Sequence, residues 1–241
     1  MESLAISESE TASLYTVLPG TGPVIGFQYN GKLMLIDEDI DTPLSVSGIT
    51  GMFDKYRNFK HDGPVGSVLV YFKPGGAAAF FKQPIHEIFG ESLSLDNFML
   101  RSELLVLEEK LQEAKTDNKR IYIVEQFLIS KMHLGKTDEL VLSALAFIYQ
   151  NKGDIRMKEL TEKLHISQSP FEKRFRQIVG LSPKKFASII RLKHTIKSYS
   201  PQKSLTELGY EVGFYDQAHF IKEFKNFTGQ TPHRFFPRPS E

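Results

Sequence analysis

Residues 220–235 read FIKEFKNFTGQTPHRF, and residues 171–186, forty-nine positions earlier, read FEKRFRQIVGLSPKKF. Phe171 matches Phe220, Lys173 matches Lys222, Phe175 matches Phe224, Gly180 matches Gly229, Pro183 matches Pro232 and Phe186 matches Phe235. Ser182 and Thr231 fill one slot with the same hydroxyl chemistry. Six identities in sixteen positions, two of them Gly and Pro punctuation, mark a duplicated structural unit. In each copy the phenylalanines fall at spacings that one helical face collects, and the opposite face is polar and partly basic.

Each copy is preceded by a short helix and a tight turn. Leu160 and Leu164 face inward in the first, and residues 165–167 turn the chain. Leu208 and Val212 face inward in the second, and residues 213–215 lead into Asp216, one residue more than lie between Leu164 and Ser167. Ser167 and Asp216 are suited to N-capping, because a side-chain oxygen there accepts from the first free N–H groups. Pro170 falls in the first helical turn, where a missing N–H costs little. Two helices joined by three or four residues form a helix-turn-helix, whose second helix can lie in a DNA major groove.

The phenylalanine stripe then anchors each second helix to its own bundle and leaves the other face for the groove. That face offers Gln168, Ser169, Glu172, Lys173 and Arg176 in the first unit, and Gln217, Ala218, Ile221 and Lys222 in the second. Gln and Lys hydrogen-bond base edges, Glu accepts from cytosine, and Ala or Ile touches thymine methyls. Any one helical pair shows a core face and a solvated face, so the duplication carries this reading. Helices are expected at 156–164, 168–179, 183–198, 205–212, 216–227 and from 232, after one ending near Gly153. The 183–198 helix spans about 24 Å. With its flanking bundles, that length suits two reading helices one DNA turn, ~34 Å, apart.

With these residues in view, 140–241 resembles the DNA-binding domain of AraC/XylS-family transcriptional regulators. The stretch LTELGYEVGFYDQAHFIKEFKNFTGQTPHRFF carries the likeness, with "GF", a capped "DQAHF", "F-K" and a "G-x-T/S-P" close. The resemblance implies two units reading successive major grooves of double-stranded DNA. Gln168, Ser169, Glu172 and Lys173 would read one, and Gln217, Ala218, His219 and Lys222 the next. It makes Arg191 a brace between the units. Gly209, where the family usually has Ala, and Thr195, in place of a small apolar residue, depart from the pattern. Phosphate contacts are expected from helix N-termini and from Lys184, Lys185, Lys225 and Arg234.

Charge is divided along the chain. Residues 134–241 hold 18 Lys and Arg against 11 Asp and Glu, and residues 1–133 hold 12 against 18. A basic half joined to an acidic half suggests that only the second meets a polyanion, although charge alone does not decide it. There is no cysteine, hence no disulfide, thiolate metal site or thiol nucleophile. That fits a cytoplasmic protein. The polar, acidic MESLAISESE does not read as a secretory signal, and no apolar run approaches the ~18 residues of a membrane helix.

The first half says less. YTVLP, VIGFQY, KLMLI, LSVSGI and GSVLVYF within residues 11–73 are β-rich and separated by turn residues, which suggests a compact sheet or small barrel. Asn-Gly in Tyr29–Lys32 signals a type I′ hairpin. Leu100, Leu104, Leu107 and Leu111 then form one helical stripe, and a second helix puts Ile121, Val124, Leu128 and, at its end, Met132 inward. The fold class is therefore an α+β N-terminal domain (1–133) followed by an all-α domain (134–241) with two helix-turn-helix units joined by a long helix. Tyr15, Phe27, Tyr29, Phe53, Tyr56 and Phe72 could line a pocket for a small-molecule effector, or simply fill the core. Residues 71–90 resemble a Pro-Gly-Gly-Ala segment of uncharacterised members of the family. The leucine stripe has the spacing to pair two chains into a homodimer, and packing on its own sheet is the alternative.

Other chemistry finds no footing. GTGPVIG (20–26) misses the dinucleotide spacing, the seven His include no HxH or HExxH, and there is no GxSxG. No cofactor, metal or catalytic residue is expected. The expected function is sequence-specific transcription regulation, with RNA polymerase as partner. An N-terminal enzyme carrying an accessory DNA-binding domain, and a protein-interaction adaptor, are the alternatives.

Overall fold

The computed structural model describes residues 1–37, 40–133, 138–214 and 216–236. Among the described residues, nine antiparallel strands open the chain: β1 (Ser3–Ser9), β2 (Ser13–Val17), β3 (Val24–Asn30), β4 (Met34–Asp37), β5 (Ile40–Pro43), β6 (Ser47–Thr50), β7 (Arg57–His61), β8 (Val65–Tyr71) and β9 (Ser92–Ser94). They form a five-stranded sheet in the order β1-β8-β3-β6-β9 and a four-stranded sheet in the order β2-β7-β4-β5. The segment after Lys73, which reads as helix-friendly, forms only 3₁₀ turns at Gly76–Ala79, Ile85–Ile88 and Leu95–Asn97, the last two on either side of β9. Helices α1 (Arg101–Glu113) and α2 (Asp117–Lys131) follow.

Strand alternation sorts the five-stranded sheet into two faces. Ile25 and Phe27 of β3 and Val68 and Val70 of β8 are buried against Leu104, Leu107 and Leu111 of α1 and Val124 and Leu128 of α2. The leucine stripe therefore serves its own domain. Leu104, Leu107 and Leu111 are at most 3% exposed, and only Leu100, at the N-cap, faces out. This overturns a homodimer seam through those four residues, because three are already spent on the sheet.

The Asn-Gly hairpin is also corrected. Gly31 does turn the chain with φ 67°, but β3 pairs with β6 and β8 while β4 pairs with β5 and β7. The turn switches sheets. A Cβ at Gly31 would lie 2.1 Å from the Pro64 carbonyl oxygen, so the close approach of the 64–65 backbone requires glycine.

The second half is all helix: α3 (Glu139–Gln150), α4 (Met157–Lys163), α5 (Gln168–Val179), α6 (Pro183–Ser198), α7 (Leu205–Glu211), α8 (Gln217–Thr228) and α9 (Pro232–Phe235). The expected boundary at 133/134 abuts residues 134–137, which lie outside the described residues. The halves share a junction, since Met52, from the strand half, is 2% exposed within the helical core.

Candidate nucleic-acid interface

The forty-nine-residue echo folds as two equivalent bundles. Phe171 and Phe175 pack edge to face at 5.7 Å, as do Phe220 and Phe224. All four are at most 1% exposed. Phe175 meets Phe186 at 5.8 Å, and Phe224 meets Phe235 at 5.2 Å. Phe235 is only half-buried, however, and Phe236, stacked on Tyr199 at 4.0 Å, completes that core. Gly180 (φ 97°) and Gly229 (φ 77°) end α5 and α8 in the left-handed conformation, with N–H groups bonded to Arg176 O and Lys225 O.

Aromatic rings thus hold α5 and α8 from behind. At the front, Gln168, Ser169 and Lys173 are exposed, as is Arg176, and Glu172 is half-buried. Gln168 Nε2 donates to Glu172 Oε1 at 2.9 Å, which fixes both side chains. On α8, Gln217, Ala218, His219 and Lys222 are exposed, and Ile221 is half-buried. Asp216 Oδ1 accepts from the His219 N–H at 2.7 Å, the expected cap. Ser167 occupies the equivalent position, but its hydroxyl makes no cap bond. His219 Nε2 lies 3.5 Å from Glu223 Oε1. Tyr215, in the second turn, lies outside the described residues.

Arg191 takes the bracing position read for it. From α6 it reaches Glu223 of α8 at 3.0 Å and lies 4.2 Å over the Phe214 ring. Thr195 is fully buried and returns its hydroxyl to Arg191 O at 2.9 Å, so the polar substitution leaves no unpaired group. Gly209 makes room for Phe220, whose ring would lie 3.3 Å from an added Cβ.

Of the four cations expected at phosphates, Lys184, Lys225 and Arg234 are exposed and have no ion pair among the described residues. Lys185 differs. Its ammonium pairs with Asp54 of the strand half and lies 5.0 Å over the Phe89 ring. The domain junction claims it. Sequence reasoning also missed His86, which borders a groove with Ser169, Glu172, Lys173 and Arg176 beside α5.

A partly open cavity of about 670 Å³ lies between the two sheets of the strand half. Of the six aromatic residues proposed for a pocket, Tyr15, Phe53 and Phe72 line it. Phe27 faces the helices and packs on Phe127. Tyr29 donates its hydroxyl to Glu8 at 2.5 Å under the Arg120 guanidinium, and Tyr56 packs on Gly229. The signal that would have found the rest of its lining is alternation: the positions beside the apolar ones in β3, β6 and β8 include Gly26, Gly48 and Ser67, too small to fill the space. Leu192, Lys193 and Ile196 of α6 add a wall from the helical half.

Residues 160–238 match the model of a helix-turn-helix domain. Residues 4–94 match a family described as a domain of unknown function, DUF6597. The chain is 30% identical over 124 residues to the Msm operon regulatory protein of Streptococcus mutans, covering 48% of this chain and 45% of that protein. It is also 30% identical over 92 residues to an uncharacterised HTH-type transcriptional regulator of Haemophilus influenzae, covering 38% and 31%. It thus spans less than half the length of either relative. Among solved structures, ToxT of Vibrio cholerae aligns over 97% of both chains at 14% identity and a TM-score of 0.47. The C-terminal domain of AraT from Geobacillus stearothermophilus covers 44% of this chain and 93% of its own, at 21% identity and a TM-score of 0.40. The matched helix-turn-helix region, 160–238, includes both Phe-backed helices, α5 and α8, and the α6 connector between them.

Proposed function

We propose that this protein is a sequence-specific DNA-binding transcription regulator of the cytoplasm. The AraC-type domain lays α5 and α8 in successive major grooves of a promoter, and the strand half answers to an effector. One observation carries the reading: two helices with duplicated aromatic backing present exposed amide and ammonium groups. Gln168, Ser169, Glu172 and Lys173 read one groove, and Gln217, Ala218, His219 and Lys222 the other. The N-termini of α5 and α8, with Lys184, Lys225 and Arg234, hold phosphates. Bound at a promoter, the protein recruits or obstructs RNA polymerase according to where its site lies.

The effector reading rests on the cavity. Apolar and aromatic walls with a few serine hydroxyls suit a mostly apolar molecule bearing a hydrogen-bonding edge. Ser67, 4% exposed, has a hydroxyl without a hydrogen bond among the described residues, so it supplies one such contact.

The test is selection of duplexes from a random pool by the full chain. A bipartite motif with its halves about one helical turn apart is expected, with affinity falling ~10³–10⁵-fold between 50 and 200 mM salt if six to ten phosphates are contacted. A pool that stays random after repeated rounds rejects the reading.

A further inference from the structure

The segment from Gly51 to Tyr56, which joins β6 to β7, touches both helix-turn-helix units and the cavity at once. Met52 is buried in the helical core, and its sulfur lies 3.5 Å from where a Cβ on Gly180, the C-cap of α5, would sit. Asp54 pairs with Lys185 in the first turn of α6. Tyr56 lays its ring against Gly229, the C-cap of α8, with ring atoms 2.9–3.0 Å from the position of an added Cβ. Gly180 and Gly229 are the same position in the two copies of the repeat, so one short strap grips both copies at equivalent points.

Phe53, between those contacts, lines the cavity. The strap is anchored from its other side. Gly51 N donates to Glu91 O at 2.9 Å, and Gly90 N donates to Met52 O at 2.8 Å. The Arg57 guanidinium lies 5.1 Å over the Phe53 ring and donates to Gly90 O. A Cβ on Gly51 would fall 1.8 Å from Ile88 O, so the backbone there is packed on the 88–91 segment. Strap residues thus contact the helical domain through Met52, Asp54 and Tyr56 and the cavity through Phe53. A shift of Phe53 must move neighbours that are packed against both C-caps.

We propose that the Gly51–Tyr56 strap couples occupancy of the cavity to the mutual placement of α5 and α8. This rests on the reading that these are the DNA-reading helices and that the cavity holds the effector. An empty cavity would leave one spacing between the helices, and a filled one, by displacing Phe53, another. Packed junctions shift between discrete arrangements, so small displacements at Phe53 reach the groove-facing residues.

The chain has no cysteine, so Gln168→Cys and Gln217→Cys give a unique pair for spin labels in the full-length protein. Pulsed electron-spin distance measurement should show one narrow distribution, lost or broadened by Tyr56→Ala and by Asp54→Ala, the latter leaving the core untouched. Ser67→Phe, or Gly26→Val if the first does not melt cooperatively, fills the cavity in place of a ligand. Either should shift the mean distance, and the shift should disappear when Tyr56→Ala is added. Unchanged distributions in the strap variants, or a cavity variant that leaves the mean in place, overturn the proposal. The readout contains no DNA. Duplex binding is read on the native, unlabelled chain: if that chain binds no duplex, the functional reading alone fails, and if it binds duplex while the labelled chain's distances stay unaltered, the strap alone fails.

Discussion

Lys173 and Lys185 sit twelve residues apart in one basic segment, and their surroundings assign them different parts. Lys173 is exposed and has no ion pair among the described residues. Lys173→Ala, and likewise Lys222→Ala, should cost ~1–3 kcal/mol on the preferred duplex and relax the preference at one base position. Competition binding against single-base variants measures this, and equal weakening on all duplexes would mean phosphate contact only. Lys185 is held by Asp54 and Phe89. Lys185→Ala should leave the salt slope of binding unchanged, while Lys184→Ala, Lys225→Ala and Arg234→Ala should each lower it by about one. The Lys185–Asp54 pair is partly exposed, so its loss should change stability by no more than ~1 kcal/mol. No sequence pattern separates Lys184 from Lys185. The difference comes from a carboxylate 131 residues away.

At the scale of elements, the helices of the second half were legible because Phe spacing, capping residues and C-cap glycines repeat. The strands were less so. β5 (Ile40–Pro43) is exposed throughout, so no buried face imposes an alternation to read. β1 lies in a polar, acidic stretch that carries no strand signal of its own, yet it pairs along its whole length with β8. The expected pocket was placed only in part, with Phe27, Tyr29 and Tyr56 outside it, because a search for aromatic walls overlooks the small residues that leave the space. Caps are testable one by one. Asp216→Ala should cost ~0.5–2 kcal/mol, read from denaturant midpoints, because the His219 N–H then loses its acceptor.

Helix α7 carries a full capping box, with Ser204 Oγ accepting from Glu207 N at 3.1 Å and the Glu207 carboxylate accepting from Ser204 N at 2.8 Å. Ser204 N and Ser204 Oγ, each donating to Glu207 Oε2 at 2.8 Å, hold the Glu207 carboxyl below the usual carboxylate range. A depressed folded value means that this support is complete above the ordinary carboxylate pKa and fades as pH falls through the lowered one. Amide protection in α7, measured as exchange relative to the intrinsic rate at each pH, should therefore fall on acidification through the lowered value, and Glu207→Gln should flatten that dependence.

For the molecule as a whole, the decisive feature is that a residue of the strand half is built into the helical core. Met52→Ala should cost about 2–5 kcal/mol. Calorimetry should show one cooperative transition for the native chain and a split or broadened one for this variant. Two well-resolved transitions in the native chain would contradict an interlocked junction.

The C-cap glycines of α5 and α8 have a genetic consequence. Each adopts a conformation that L side chains resist, and each has a strand-half residue seated where a side chain would begin, Ile85 over Gly180 and Tyr56 over Gly229. Alanine at either position would wedge the halves apart without altering any groove-facing atom. A selection for signal-deaf alleles, able to occupy their promoter yet indifferent to the inducer, should return these two codons.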